Sequence, residues 1–124
     1  SDGVLEAVEE VHFDKIKTAE DRIAFLRQFG WEVETVPVEE AEVTIPAEFD
    51  KVYQSYNELQ KKQGLDLLKY KNKKVTRYSY KVKNLDSESE AYANLFVHRG
   101  KIIACDISSA EKDGFVIPLT LYEK

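Results

Sequence analysis

Methionine is absent from the chain, cysteine and tryptophan occur once each, and histidine occurs twice. A single Cys excludes an internal disulfide framework and a multi-cysteine metal knuckle. His12 and His98 stand alone, with no HxxxH, HxH or CxxC spacing, so no metal site and no cofactor is expected. Five Gly and three Pro are too few for a collagen-like or low-complexity chain. Neither GxGxxG nor a GxxxxGK phosphate loop occurs, which argues against a nucleotide-dependent enzyme. No apolar run approaches the ~20 residues of a membrane span.

What is present fits one domain, residues 1–124, with 43% hydrophobic and 33% charged residues. The net charge of −5 is unevenly laid out. Residues 1–50 hold 14 acidic and 4 basic side chains, 51–83 hold 2 and 10, and 84–124 hold 7 and 4. Such blocks either pair within the fold or steer a partner. The chain starts Ser1-Asp2-Gly3 without Met, so it is expected to be the processed part of a longer product. A membrane link would then come only through a missing N-terminal segment.

Val4, Leu5, Val8 and Val11 recur at helical spacing, marking residues 1–17 as an N-terminal helix or stalk remnant. Thr18-Ala19-Glu20-Asp21 reads as a capping box that opens a helix carrying Ile23, Leu26 and Phe29 and closing at Gly30. Trp31 to Val38 alternates like a strand with one wet face, and Val43-Thr44-Ile45 forms a second short strand. Glu39-Glu40-Ala41-Glu42 between them reads as a solvated loop. A longer helix, about Ala47 to Gln63, places Phe49, Val52, Tyr53, Tyr56 and Leu59 on one stripe, which is expected to complete the core. Alternation over Lys74–Lys83, Ala91–Val97, Ile102–Ile107 and Phe115–Leu121, with turns at His98–Lys101 and Asp113-Gly114, predicts an antiparallel meander. The expected class is α+β: two or three helices packed on one face of an antiparallel sheet that ends in a C-terminal β-meander.

Cys105, Asp106 and His98 are the one grouping that resembles a nucleophile, an acid and a base. A hairpin turning at Arg99-Gly100 sets Cys105 opposite Asn94 and His98 opposite Lys101. His98 and Cys105 then share a face but lie about 13 Å apart, and Asp106 points to the other side. A small buried thiol on a core strand is the simpler expectation. Basic residues interleaved with rings over Lys69–Lys83 raise single-stranded nucleic acid as a ligand. Strand parity counts against it, because Tyr78, Tyr80 and Val82 go to one face and the cations to the other. What remains is a cationic stripe of Lys73, Arg77, Lys81 and Lys83, able to meet an anionic envelope polymer or an acidic protein. Asn57, Gln60, Gln63 and Asp66, around the end of the long helix, are the best alternative cleft for a small hydrolase or transferase.

Several segments carry a family resemblance: Phe29-Gly30-Trp31-Glu32-Val33, Ile45-Pro46, Tyr56-Asn57-Glu58-Leu59-Gln60, Gln63-Gly64-Leu65-Asp66-Leu67 and Tyr70-Lys71-Asn72-Lys73, followed by Tyr92-Ala93-Asn94-Leu95 and Asp113-Gly114-Phe115. In order and spacing, over about Thr18 to Leu121, they resemble a bacterial domain family of unknown function numbered forty-eight thirty. The chain departs from the pattern at Ala104-Cys105-Asp106, where small residues are expected. The resemblance implies an N-terminal signal or membrane segment ahead of an extracytoplasmic domain; it carries over no activity, cofactor or catalytic residue. The balance of signals leans away from an enzyme and toward a non-enzymatic extracytoplasmic binding module for an anionic envelope or protein partner.

Overall fold

The computed structural model describes residues 11–85, 88–111 and 113–120. Of the expected N-terminal helix, Val4, Leu5 and Val8 lie outside them, and the described part, residues 11–17 with Val11, is not helical. Chain order runs α1 (Ala19–Arg27), β1 (Glu39–Thr44), α2 (Lys51–Lys61), a 3₁₀ turn (Leu67–Tyr70), β2 (Lys74–Lys81), β3 (Ala91–His98), β4 (Lys101–Ser109) and β5 (Val116–Ile117). The five strands form one antiparallel sheet in sequential order, so the class is α+β with a meander at its C-terminal end.

Local chemistry sets the helix ends. Thr18 Oγ1 accepts the Asp21 N–H at 3.1 Å, while the Asp21 carboxylate accepts the N–H groups of Thr18 and Lys17 at 2.9 Å each. Those bonds hold the Asp21 carboxyl below its usual range, the Lys17 bond contributing most. Gly30, at φ +88°, turns the chain so that the Trp31 N–H returns to the Leu26 carbonyl. Asp50 caps α2 by accepting the Tyr53 N–H at 2.8 Å. The second helix is thus shorter at both ends than its apolar stripe implied.

Strand parity divides the core into two layers. On one face Tyr80, Ala93, Leu95, Cys105 and Ile107 pack against Phe25 and Leu26 of α1, with Trp31 and Leu119. Arg22 of α1 reaches the same face, donating to the Tyr80 hydroxyl at 2.7 Å and lying over the Tyr78 ring. On the opposite face Val75, Phe96, Ile103 and Ala104 pack with Ile45, Leu67 and the α2 side chains Tyr53 and Tyr56. The expectation that the helices share one face is therefore corrected: they sandwich the sheet. Both strand faces near its centre are partly apolar, so each requires a cover.

Two further expectations change. Residues 31–38 do not form a continuous strand. They follow β2 through an isolated Val33–Val82 bridge and single bonds from Glu34 to Lys81 and Val38 to Ser79, and Pro37 has no N–H to extend the ladder. The strand begins instead at Glu39, in the segment read as a loop. Its acidic side chains lie beside the basic β2, and opposite charges across a strand pair stabilise that pairing. The last strand is only Val116–Ile117 rather than Phe115–Leu121.

The hairpin turns at Arg99-Gly100, both with positive φ, which matches the twist of the flanking strands. A β-bulge then inserts Ile103. Val97 pairs with Ile102, but Phe96 pairs with Ala104, Leu95 with Cys105 and Asn94 with Asp106. Cys105 therefore does not oppose Asn94. His98 and Cys105 end on opposite faces, with His98 set edge-on to Tyr70.

The outer edge of β4 is closed piecewise. Phe13 O accepts the Ile102 N–H at 2.7 Å, and β5 covers Ile107 and Ser108. At Cys105 the Gln60 side-chain amide acts as a surrogate strand, accepting the Cys105 N–H at 2.9 Å and donating to its carbonyl at 3.0 Å. An open ladder edge invites pairing with another chain, and these three caps remove it.

Candidate functional site

The four residues proposed as a cleft, Asn57, Gln60, Gln63 and Asp66, are used to fasten α2. Asn57 donates to Asp66 at 2.9 Å and accepts the Leu67 N–H at 2.7 Å. Gln60 holds Cys105, and Gln63 donates to the Cys105 carbonyl while accepting the Leu119 N–H at 2.8 Å. Asp66 caps the 3₁₀ turn through the Leu68 N–H. Its carboxyl is held below the usual range, chiefly by the Asn57 bond. Although bonded to each other, Asn57 lines one surface cavity, beside Phe49 and Leu68, and Asp66 lines another, beside Phe13 and Tyr70.

Of the cationic stripe, Arg77 and Lys81 lie on the β2 face opposite Tyr80. Arg77 is ion-paired with Glu39 on β1. Lys81 lies 3.6 Å from Glu90, whose carboxyl is held low first by the Tyr92 hydroxyl and then by Lys81. Lys73 and Lys83 are exposed and flank β2 at its two ends. Part of the charge asymmetry seen in the sequence is thus intramolecular pairing.

The Cys105 thiol is buried against the α1 layer, and burial, followed by the Asp106 charge, pushes its pKa up. It is a packing residue, since a thiol without its thiolate is a poor nucleophile. Among the described residues no group of three or more His, Cys, Asp or Glu could hold a metal ion.

A different site lies on the α2 face. Asp106 is 4% exposed, and its two oxygens accept from the Tyr56 hydroxyl and, at 2.7 Å, from Asn94 Nδ2. Asn94 also donates to Ser108 Oγ at 2.9 Å, while its own oxygen accepts from Ser79 Oγ at 2.6 Å. Arg77 Nη2 reaches that oxygen at 3.5 Å. The network therefore spans three strands and α2. Burial raises the Asp106 pKa, opposed by the bonds from Tyr56 and Asn94 and by the Arg77 charge. Burial, then the Asp106 charge, raises Tyr56 well above the ordinary phenol value.

Above this network is a cavity of about 320 Å³ whose walls include Tyr53, Tyr56, Phe96 and Val116 and whose floor includes Asp106 and Asn94. A second cavity of about 490 Å³ adjoins it, sharing Val52, Tyr56 and Val116 and adding Leu59. Val52 is 77% and Val116 49% exposed, while Asn57 and Gln60 are the buried positions of α2. Phe49, Tyr53 and Tyr56 of the stripe pack on the second core layer as expected, while Val52, Tyr53, Tyr56 and Leu59 also line the groove. Its large residues were visible in sequence. The polar floor was not, because it depends on the bulge that brings Asp106 opposite Asn94.

No helix among the described residues is long and apolar enough to cross a membrane. No curated protein and no solved structure matches the chain. A family model does match, over residues 25–107, from Phe25 in α1 to Ile107 in β4, and thus includes all of α2 and the floor residues Asn94 and Asp106. The chain belongs to the family described as the domain of unknown function DUF4830.

Proposed function

We propose that the chain is a non-enzymatic binding module, held outside the cytoplasm, whose ligand docks in the groove between α2 and the sheet. The observation that carries this is Asp106: a buried carboxylate on the floor of a surface cavity, held by two neutral donors. Burying a carboxylate costs several kcal/mol of desolvation, which an apolar side chain at the same place would avoid. Its position beneath an open groove supports a role in recognition. The extracytoplasmic placement rests on the family resemblance.

The rival hydrolase or transferase has less support. Asn57, Gln60, Gln63 and Asp66 are committed to holding the fold, and neither Cys105 nor His98 meets a catalytic partner. An anionic ligand on the stripe would have to displace Glu39 from Arg77 and Glu90 from Lys81. The test is an amide NMR titration of the ¹⁵N-labelled protein with small cationic, neutral and anionic molecules in turn. Saturable shifts confined to Tyr53, Asn94, Asp106 and Val116, with no chemical turnover of the probe, are expected. Saturation around Asn57 and Asp66 instead, or turnover of any probe, overturns the proposal.

A further inference from the structure

We propose that the groove selects an alkylammonium: a primary or methylated amine head on a short apolar body. The inference rests on the binding-module proposal and names its ligand class.

Three features of the cavity point to that chemistry. The first is unbalanced hydrogen-bonding capacity. A carboxylate offers about four acceptor positions, and Asp106 uses two, one for Tyr56 and one for Asn94. Three of the donors around it are already committed. The Tyr56 hydroxyl proton goes to Asp106, both Asn94 amide hydrogens go to Asp106 and Ser108, and the Ser79 hydroxyl goes to Asn94. Asp106 thus keeps acceptor positions that none of these donors fills, and a ligand that donates matches them.

The second feature is charge. Asp106 has no cation in contact with it. Arg77 lines the same cavity, but its guanidinium is paired with Glu39 and reaches the network only at Asn94, 3.5 Å away. Arg77 acts on Asp106 only through its field and is in contact with Glu39, whereas the groups bonded to Asp106 are neutral donors. A ligand cation would supply the missing counter-charge in a partly water-excluded site, where such a contact is stronger than in bulk water.

The third feature is the wall. Tyr53, Tyr56 and Phe96 stand together, with ring centroids 6.2 Å and 6.1 Å apart in the two successive pairs. Aromatic rings attract ammonium groups through their quadrupoles, and sites built from several rings beside a carboxylate suit alkylated amines best. Val52, Leu59 and Val116 continue from the rings into the adjoining cavity and offer apolar contact to the ligand's body. A polyol would leave hydroxyls facing these side chains without partners, and an anion would meet Asp106 directly.

The test uses n-butylammonium, with n-butanol and butyrate as the neutral and anionic probes of similar size. n-Butylammonium should give saturable NMR shifts at Asn94, Asp106 and Val116, with at least about tenfold weaker binding by butanol. Asp106→Asn should weaken n-butylammonium binding at least about tenfold and leave butanol unchanged. Should that variant fold poorly, Val116→Lys adds a cation at an exposed position on the groove wall and should weaken the same probe while sparing butanol. Equal binding of butanol and n-butylammonium, or preference for butyrate, overturns the ammonium assignment while leaving a binding groove in place. No saturation by any of the three overturns both.

Discussion

Asp106 is the residue on which the α2 face turns. Its folded-state pKa is raised, first by burial, so between the ordinary carboxylate value and that raised value the native protein holds more of the proton than the unfolded chain does. Stability attributable to this group therefore falls as pH rises through that window. Asp106→Asn removes the titration but not the pH dependence of the other carboxylates. Asp21, Asp66 and Glu90, with lowered pKa values, contribute the opposite sign: their stabilisation is present above the ordinary range and lost in acid. The difference in unfolding free energy, wild type minus variant, should thus decline as pH rises above the ordinary carboxylate range when followed by urea denaturation at each pH. A flat difference would mean that Asp106 titrates like an exposed carboxyl.

At the scale of elements, side-chain amides tie α2 to the sheet beside the apolar packing of Tyr53 and Tyr56. Gln60 is fully buried and supplies both main-chain partners that a neighbouring strand would give Cys105. Gln60→Leu keeps the bulk but leaves the Cys105 N–H without its partner, a loss of about 1–3 kcal/mol. Exchange of the Cys105 amide hydrogen should quicken accordingly, ahead of its neighbours in β3. Unchanged exchange at Cys105 would show that Gln60 is not the cap.

The same elements show what could be read from the chain. Thr18 and Asp21 announce the start of α1 because capping is local, and the His98–Lys101 turn announces its hairpin for the same reason. Residues 31–38 mislead because alternation alone does not supply a ladder; here Pro37 and single bonds replace one. Glu39 to Glu42, the first part of β1, was hidden in turn, since an acidic run signals strand only when the basic strand beside it is known. The site was legible in its parts and not in its assembly. Tyr56 and Asp106 are 50 residues apart in sequence, and Asp106 meets Asn94 only because one bulged residue, Ile103, shifts the register. Asp106 stood next to the conspicuous Cys105, which draws attention to the wrong face.

For the whole molecule, two layers with different characters share one sheet. The α1 layer is closed and apolar, gathering Phe25, Leu26, Trp31, Tyr80 and Leu119 around Leu95 and Cys105. The α2 layer covers Val75, Phe96 and Ala104 but leaves a groove where Asn94, Asp106 and Ser108 form the floor. The charge blocks of the sequence meet across β1 and β2, where Glu39 holds Arg77, so the acidic and basic thirds partly neutralise one another in the fold. The larger buried apolar cluster lies in the first layer and the buried polar network in the second, a division that suits a scaffold presenting a recognition face.

Ligand-linked stability tests this division most directly. A molecule that binds only the native state raises the unfolding free energy in proportion to the logarithm of its occupancy term. The urea midpoint of the wild-type chain should rise with increasing n-butylammonium at neutral pH relative to the same concentration of n-butanol, and Asp106→Asn should show no such rise. An equal rise in both proteins, or none in either, would contradict the groove over Asp106 as the binding site.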